Sequence, residues 1–128
     1  MAKEFYFRGK TIDELNNLSI KDFSKLLKSR QTRLIKRGIK KEEEKFIEKV
    51  KKAKQNDFIK THLRNMPVLP CFIGKKIGVY QGKEFKAIII QNEMLGHRLG
   101  EFTLTRKKTV HSAAGLGATR GSKFVAKK

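Results

Sequence analysis

The sequence has little that would support secretion, membrane insertion or a disulfide framework. It contains one cysteine, two prolines and no tryptophan. A single cysteine excludes an internal disulfide and is typical of a protein from a reducing cytoplasm. The longest apolar run, 66–73, contains both prolines and is far shorter than the roughly 20 residues that span a bilayer. We also expect no signal peptide, because residues 1–8 lack an apolar stretch followed by a small-residue cleavage site.

Acidic residues are scarce, and this sets the class of partner. The chain has 12 Asp and Glu against 31 Lys and Arg, a formal charge of +19 at pH 7. Such a charge opposes compaction unless a polyanion neutralises it, so we expect an anionic partner. Because the apolar run over 66–73 is too short to span a bilayer, we expect no membrane partner. No acidic residue follows Glu101. Hydrophobic residues make up 38% of the 128 residues, so we expect the chain to form one modest core with solvated basic segments.

Catalytic and metal-binding patterns are not recognisable either. The Ser, His and acidic residues show no spacing typical of nucleophilic catalysis, so an enzyme is the weaker hypothesis. His62, His97, His111 and Cys71 lack the paired spacing of a zinc site, and we expect no metal, no cofactor and no small-molecule substrate. Cys71 has no cationic neighbour in sequence and is better explained as a small buried residue than as a nucleophile.

Helical patterns dominate the first half of the chain. Thr11 with Glu14 predicts the cap of a short helical turn, and Ser19 with Asp22 predicts a stronger helix start. From there we expect one basic amphipathic helix over 20–38, whose cationic face is either solvated or in contact with RNA.

A further helix is expected over 42–54. Glutamates open it and lysines close it, so its charges oppose the backbone dipole at both ends. Phe46, Val50 and Ala53 form its predicted buried stripe.

The period changes to two at Phe58, which predicts a half-buried strand with a cationic face. Two more strands, over 77–80 and 83–90, are predicted to join through a tight turn at Gln81-Gly82. After them, Asn92 predicts the cap of one short helical turn that ends at Gly96.

Segment 95–102 is expected to divide its residues between structure and binding. Its glycines permit tight turns, and its apolar side chains can return to the core. The expected structural residues, with the glycine of the hairpin, are Gly82, Gly96, Leu99, Gly100, Glu101 and Phe102. This arrangement would leave His97 and Arg98 facing outward.

Basic residues recur on a helix, a strand face, a hairpin and the tail, which is typical of a protein that contacts RNA phosphates from several directions. The candidate RNA-binding residues are Lys60, His62, Arg64, Lys75, Lys76, Lys83, Lys86, His97, Arg98, Arg106, Lys107 and Lys108. Candidates in the tail are His111, Arg120 and Lys123. Tyr80 and His97 are candidates for stacking on bases, whereas Phe85 and Phe102 are expected in the core.

An ordered set of residues over 81–105 resembles the signature of the universal small-subunit ribosomal protein S nineteen family, called fifteen in the older eukaryotic naming. The matching residues are Gln81-Gly82-Lys83, Ile90, Leu95-Gly96-His97-Arg98-Leu99-Gly100-Glu101-Phe102 and Thr105. Ile59-Lys60-Thr61, Leu69-Pro70 and, for the archaeal and eukaryotic branch, Gly115-Leu116-Gly117-Ala118-Thr119-Arg120 are also similar to the family. Ala114 and Ala126 depart from it where many relatives have proline.

The resemblance implies a fold and a function. The fold is α+β, a helix packed on a mostly antiparallel three-stranded sheet. The function is structural and non-enzymatic, in the cytoplasm and bound to the ribosome. The chain would bind the 3′ major domain of ribosomal RNA in the small-subunit head, beside ribosomal protein S thirteen and other head proteins. Its tail would lie near the transfer-RNA sites, with contact to transfer RNA and the large subunit as a further implication.

We therefore expect three segments: an N-terminal helical extension (1–40), an RNA-binding core domain (41–105) and a basic tail (106–128). The resemblance implies that the bacterial form lacks the region from Phe5 to Gly38. The tail should be disordered alone, because an acid-free, glycine-bearing arm buries too little surface to offset its ordering entropy. The alternative is a free basic nucleic-acid-binding protein of the nucleoid or RNA-chaperone type, which would not sediment with small subunits.

Overall fold

The computed structural model describes residues 4–110. Its helices are α1 (Ile12–Asn17), α2 (Ile20–Leu26), α3 (Ser29–Lys36) and α4 (Lys41–Lys52). Its strands are β1 (Phe58–Thr61), β2 (Lys76–Tyr80) and β3 (Phe85–Ile89), and single 3-10 turns lie at Pro70–Phe72, Asn92–Met94 and Leu99–Phe102. This architecture confirms the predicted α+β class.

The three strands form a mixed sheet with β2 in the centre. β2 pairs antiparallel with β3 over five residue pairs and parallel with β1 over four. Parallel pairing needs a connection of about a dozen residues or more, and segment 62–75 supplies it. The β2–β3 hairpin closes where the Gln81 amide donates to the Glu84 carbonyl at 3.0 Å, with Gly82 at a φ of +105°. Glycine therefore supplies the positive φ that the hairpin was predicted to need.

The two predicted N-terminal helix starts are confirmed. The Thr11 hydroxyl accepts from the Glu14 amide, the Glu14 carboxylate accepts from the Thr11 amide, and the Ser19 hydroxyl accepts from the Asp22 amide. These caps satisfy amides that have no partner within the first helical turn.

The prediction of one continuous helix over 20–38 is wrong, because the chain becomes extended at Leu27 and Lys28. The Thr32 hydroxyl donates to the Ser24 carbonyl at 2.7 Å and also reaches the Leu27 carbonyl at 3.3 Å. Hydroxyl groups that bond nearby carbonyls compete with the helical ladder. The break produces two short helices, α2 and α3, and Leu27 between them is buried.

Helix α4 forms where its charge pattern predicted it. The Glu43 carboxylate accepts from the Lys40 amide at 3.0 Å, at the positive end of the helix dipole. Phe46 and Val50 are buried as expected, whereas Ala53 is the partly buried residue that ends the helix. The ring of Phe46 meets the ring of Phe72 edge to face at 5.6 Å.

One core joins the N-terminal extension to the domain that follows it. Leu15 and Phe23 of the extension belong to the same buried cluster as the inner face of the sheet. At Gly96 a Cβ would lie 3.1 Å from the Leu27 side chain and 3.2 Å from the Phe7 ring. The extension therefore packs closely against a signature glycine.

Two further features differ from or limit the sequence predictions. The turn at Asn92–Met94 follows Gln91, without a side-chain cap, so Asn92 is not the capping residue that we predicted. Residues 106–110 are exposed and have no regular secondary structure, and the rest of the tail lies outside the described residues. Within 4–110, no helix is long and apolar enough to cross a bilayer.

Candidate nucleic-acid interface

Residues 95–102, which we call the signature segment, are hydrogen-bonded to the loop that follows β1. Four backbone hydrogen bonds, of 2.7 to 3.3 Å, join residues 64–68 to residues 96–100. Leu99 has no exposed surface, and a Cβ on Gly100 would lie 3.0 Å from the Arg64 carbonyl oxygen. The glycine and the leucine thus allow two loops to approach closely.

The guanidinium group of Arg64 stabilises the contact between these two loops, which we call the junction. One terminal nitrogen donates to the Tyr80 carbonyl at 2.6 Å and to the Thr103 hydroxyl at 2.7 Å. The other donates to the carbonyls of Gly100 at 2.9 Å and Thr103 at 2.7 Å. Strand alternation had predicted an outward Arg64, and this is wrong because β1 ends at Thr61. Four internal hydrogen bonds give Arg64 a structural role.

His97 and Arg98 lie on the outer side of the junction, on either side of one carboxylate. His97 Nδ1 lies 2.6 Å from Glu101 Oε2, and Arg98 Nε lies 3.5 Å from Glu101 Oε1. Partial burial raises the pKa of Glu101, but the hydrogen bond and charge of His97, aided by Arg98, hold that pKa below its usual value. Arg98 also donates to the Asn65 side chain at 3.0 Å. His97 is the more exposed of the two.

The side of the sheet away from the core, which we call the outer sheet face, is both aromatic and cationic. Pair registers place its members on the same side of the three strands, and these are Phe58, Lys60, Lys76, Gly78, Tyr80, Phe85, Ala87 and Ile89. Phe58 is 42% exposed and Ile89 is 62% exposed. Large exposed side chains grouped in this way are typical of an interaction surface.

His62, Tyr80 and Phe85 form a cluster at one end of the outer sheet face. Their ring centroids lie 4.6 Å apart for His62 and Tyr80, and 5.1 Å apart for the other two pairs. Phe85 was predicted to be a core residue, which is wrong because it pairs with Tyr80 across the hairpin and shares its face. Exposed or half-buried rings offer faces on which unpaired bases can stack.

Two lysine ammonium groups lie over these rings. Lys60 Nζ is 5.5 Å from the centroid of Phe85 and 5.9 Å from that of Phe58, and Lys76 Nζ is 5.8 Å from that of Phe58. The Phe58 ring lies across Gly78, where a Cβ would come within 2.5 Å of Phe58 Cζ. The face therefore combines positive charge for phosphates with apolar rings for bases.

The remaining candidate RNA-binding lysines of the domain have different surroundings. Lys75 is half-buried and its ammonium donates to the Ala53 carbonyl at the end of α4. Lys83 is exposed in the hairpin loop, and Lys86 is exposed but pairs with Val79, on the side opposite the outer sheet face. Lys75 and Lys86 therefore do not belong to the outer sheet face.

The described start of the tail lies near the hairpin. Lys107 Nζ is 3.1 Å from Glu84 Oε1, and this hydrogen bond lowers the pKa of the Glu84 carboxyl. Arg106 and Lys108 are exposed. His111, Arg120 and Lys123 lie outside the described residues.

Sequence reasoning missed part of the outer sheet face. Phe58 was detectable, because an alternation of period two places it on the same side as Lys60, two residues later. The face on which Phe85 lies depends on the pairing register of the hairpin. The Gln81-Gly82 dipeptide predicted a turn there but not which residues pair. Gly78 could be seen in the sequence only as a strand position without a side chain. Its role depends on the Phe58 ring, which lies across it.

Cys71 is placed as a structural residue in the part of the chain that the structure describes. Cys71 is half-buried, and burial raises the pKa of its thiol. Over residues 4–110, no group of three or more His, Cys, Asp or Glu is arranged to hold a metal ion.

Comparison with known proteins identifies the family to which the chain belongs. The model of the family described as ribosomal protein S19 matches residues 33–111. The small ribosomal subunit protein uS19 of Haloquadratum walsbyi is 51% identical over 126 residues, which cover 95% of this chain and 90% of the relative. That of Saccharolobus solfataricus is 49% identical over 130 residues, covering 98% and 93%. The chain therefore belongs to the ribosomal protein S19 family, whose members are structural, non-enzymatic proteins of the small ribosomal subunit.

Proposed function

We propose that this chain binds the 3′ major domain of ribosomal RNA in the head of the small subunit. In this proposal it lies beside ribosomal protein S thirteen and other head proteins, in ribosomes of the cytoplasm. Its tail extends toward the transfer-RNA sites and the large subunit. The resemblance of residues 81–105 to the family signature supports this location, and the formal charge of +19 supports a polyanionic partner.

The outer sheet face is the observation that carries the proposal. Lys60 and Lys76 supply charge over the rings of Phe58 and Phe85, and His62 and Tyr80 extend the aromatic surface. Base stacking on aromatic side chains contributes about 1–3 kcal/mol per base, and lysines add salt-dependent contacts with phosphates. A folded RNA with unpaired bases next to its backbone would satisfy both kinds of contact.

Fractionation of cell extracts tests this function against the alternative. A structural protein of the small subunit should remain with that subunit through a high-salt wash. A free nucleoid or RNA-chaperone protein should instead appear in the soluble pool. Recovery of most of the chain in the soluble pool would contradict the proposal.

Deletion of residues 111–128 is expected to leave the domain folded while weakening transfer-RNA binding. The buried core of the described chain lies within 15–99, so its packing does not depend on the deleted residues. The deletion removes four cations and no acidic residue. Reconstituted subunits should contain the truncated chain at the wild-type level and bind transfer RNA less tightly.

A full-length variant with Gln in place of those four cations separates charge from length. If both variants support wild-type transfer-RNA binding, the proposed position of the tail is wrong. If truncation prevents folding of the domain, the three-segment division is wrong.

A further inference from the structure

An open cleft of about 840 Å³ lies between the N-terminal extension and the core domain. Helix α3 forms one wall, and residues 62–66 form the other. Gly38, Lys40 and the first turn of α4 lie between them. Both walls are held in place by the shared core, because α3 contributes the buried Ile35 and the opposite segment contributes the buried Met66.

Three arginines of the α3 wall form what we call the arginine stripe: Arg30, Arg33 and Arg37. Their spacing of three and four residues places them on one side of the helix and its end. Within residues 4–110, none of them has a carboxylate at salt-bridge distance. Residues 23–41 contain eight cations and no acidic residue. The stripe thus presents unneutralised positive charge to an open cleft.

Two carboxylates also line the cleft, and they do not cancel this charge. Glu43 is buried, and its Oε2 accepts from the Lys40 amide as part of the α4 cap. Glu42 is exposed at the start of the helix. Against these two acids the cleft presents the arginine stripe and Lys40, so its net charge is positive.

We propose that the cleft holds a segment of RNA backbone, whose phosphates are bound by the arginine stripe. The planar guanidinium groups can each donate two parallel hydrogen bonds to one phosphate. His62 lines the cleft and also contacts the rings of the outer sheet face. One RNA strand can therefore leave the cleft and present its bases to Tyr80 and Phe85.

This inference rests on the proposed binding of ribosomal RNA and adds a contact surface that the extension helps to build. Arg30 precedes the part of the chain that the family model matches, which begins at residue 33. The extension would then be a part of the RNA interface as well as a packing element.

The test compares two triple variants with the same loss of charge. Arg30→Gln, Arg33→Gln and Arg37→Gln together remove the stripe. Lys28→Gln, Lys36→Gln and Lys41→Gln remove three exposed cations of the same region that do not line the cleft. Full-length chains are titrated with a transcript of the 3′ major domain at several salt concentrations, after thermal melting has shown that each is folded.

The stripe variant should bind at least about tenfold more weakly than wild type at low salt. The slope of log Kd against log salt should be flatter by about two to three, because each lost phosphate contact removes roughly one unit. The lysine variant should change far less. Glu42→Gln, which removes an exposed repelling charge from the cleft, should tighten binding.

Equal behaviour of the two triple variants would overturn the inference, since charge alone would then explain the loss. Wild-type slope in the stripe variant, combined with loss of incorporation into subunits, would also overturn it and assign the cleft to a protein partner. Failure of the wild-type chain to bind the transcript would instead reject the proposed function on which the inference rests.

Discussion

Arg64→Met is expected to lower the melting temperature by more than about 10 °C. The substitution removes four hydrogen bonds that join the loop after β1 to Tyr80 at the end of β2, to Gly100 and, twice, to Thr103. Each partner left unsatisfied in a buried setting costs about 1–3 kcal/mol, and Thr103 is only 2% exposed. A loss of about 3 kcal/mol corresponds to a shift of this size in a small domain. Thermal unfolding followed by circular dichroism measures it.

Two further variants serve as controls for the loss of stability in Arg64→Met. Arg106→Met removes the same charge from an exposed position and should leave the melting temperature within about 2 °C of wild type. Arg64→Lys should recover only a small part of the loss, because an ammonium group cannot reproduce the planar guanidinium fork. If the Arg64→Met and Arg106→Met variants have the same melting temperature, the internal hydrogen bonds of Arg64 contribute little to stability. That result would contradict the structural role of Arg64 and support the outward position predicted from the sequence.

Leu99→Ala should lower the free energy of unfolding by about 2–5 kcal/mol, the usual cost of truncating a fully buried leucine. Leu99 has no exposed surface and lies where the signature segment meets the loop after β1. Phe102, in contrast, is only partly buried, with its ring 6.0 Å from the exposed His97. Phe102→Ala should therefore cost less than Leu99→Ala, although phenylalanine is the larger side chain. Urea unfolding of the two variants gives both values.

The order of these two effects is the informative result. A larger loss for Phe102→Ala would mean that the ring, and not the leucine, closes the core at this point. A Phe102→Ala variant with unchanged stability but no RNA binding would place Phe102 in the interface and contradict its structural role.

Local chemistry explains which parts of the fold were predictable. The caps at Thr11 and Ser19, the charge pattern of α4 and the positive φ of Gly82 depend on residues within a few positions of each other. Such interactions are fixed by sequence spacing, so the spacing predicted them correctly. The family signature added the α+β class, which the sheet and helices confirm.

The parts that were not predicted depend on residues far apart in the chain. Arg64 was assigned outward because its partners are 16 to 39 positions away, beyond any periodic pattern. Phe85 was assigned to the core because its face follows from pairing with Tyr80. The arginine stripe was recognisable as a basic helix face, but its cleft exists only because the extension folds back against the domain. Tertiary contacts decided each of these positions.

The structure separates cations that hydrogen-bond within the protein from cations that lie on an exposed surface. Arg64 and Lys75 bond to backbone carbonyls of the domain itself. Lys60 and Lys76 lie over aromatic rings on an exposed surface. Loss of the first kind should appear in stability, and loss of the second kind in RNA affinity.

Salt-dependent binding of a Lys60→Gln, Lys76→Gln double variant to the 3′ major domain transcript tests this division most directly. Its matched control is Lys45→Gln with Lys49→Gln, two exposed lysines of α4. The account predicts unchanged melting temperatures for both variants. It also predicts a slope of log Kd against log salt flatter by about two for the first variant and unchanged for the second. A wild-type slope for the outer sheet face variant would contradict the account and place the RNA interface elsewhere.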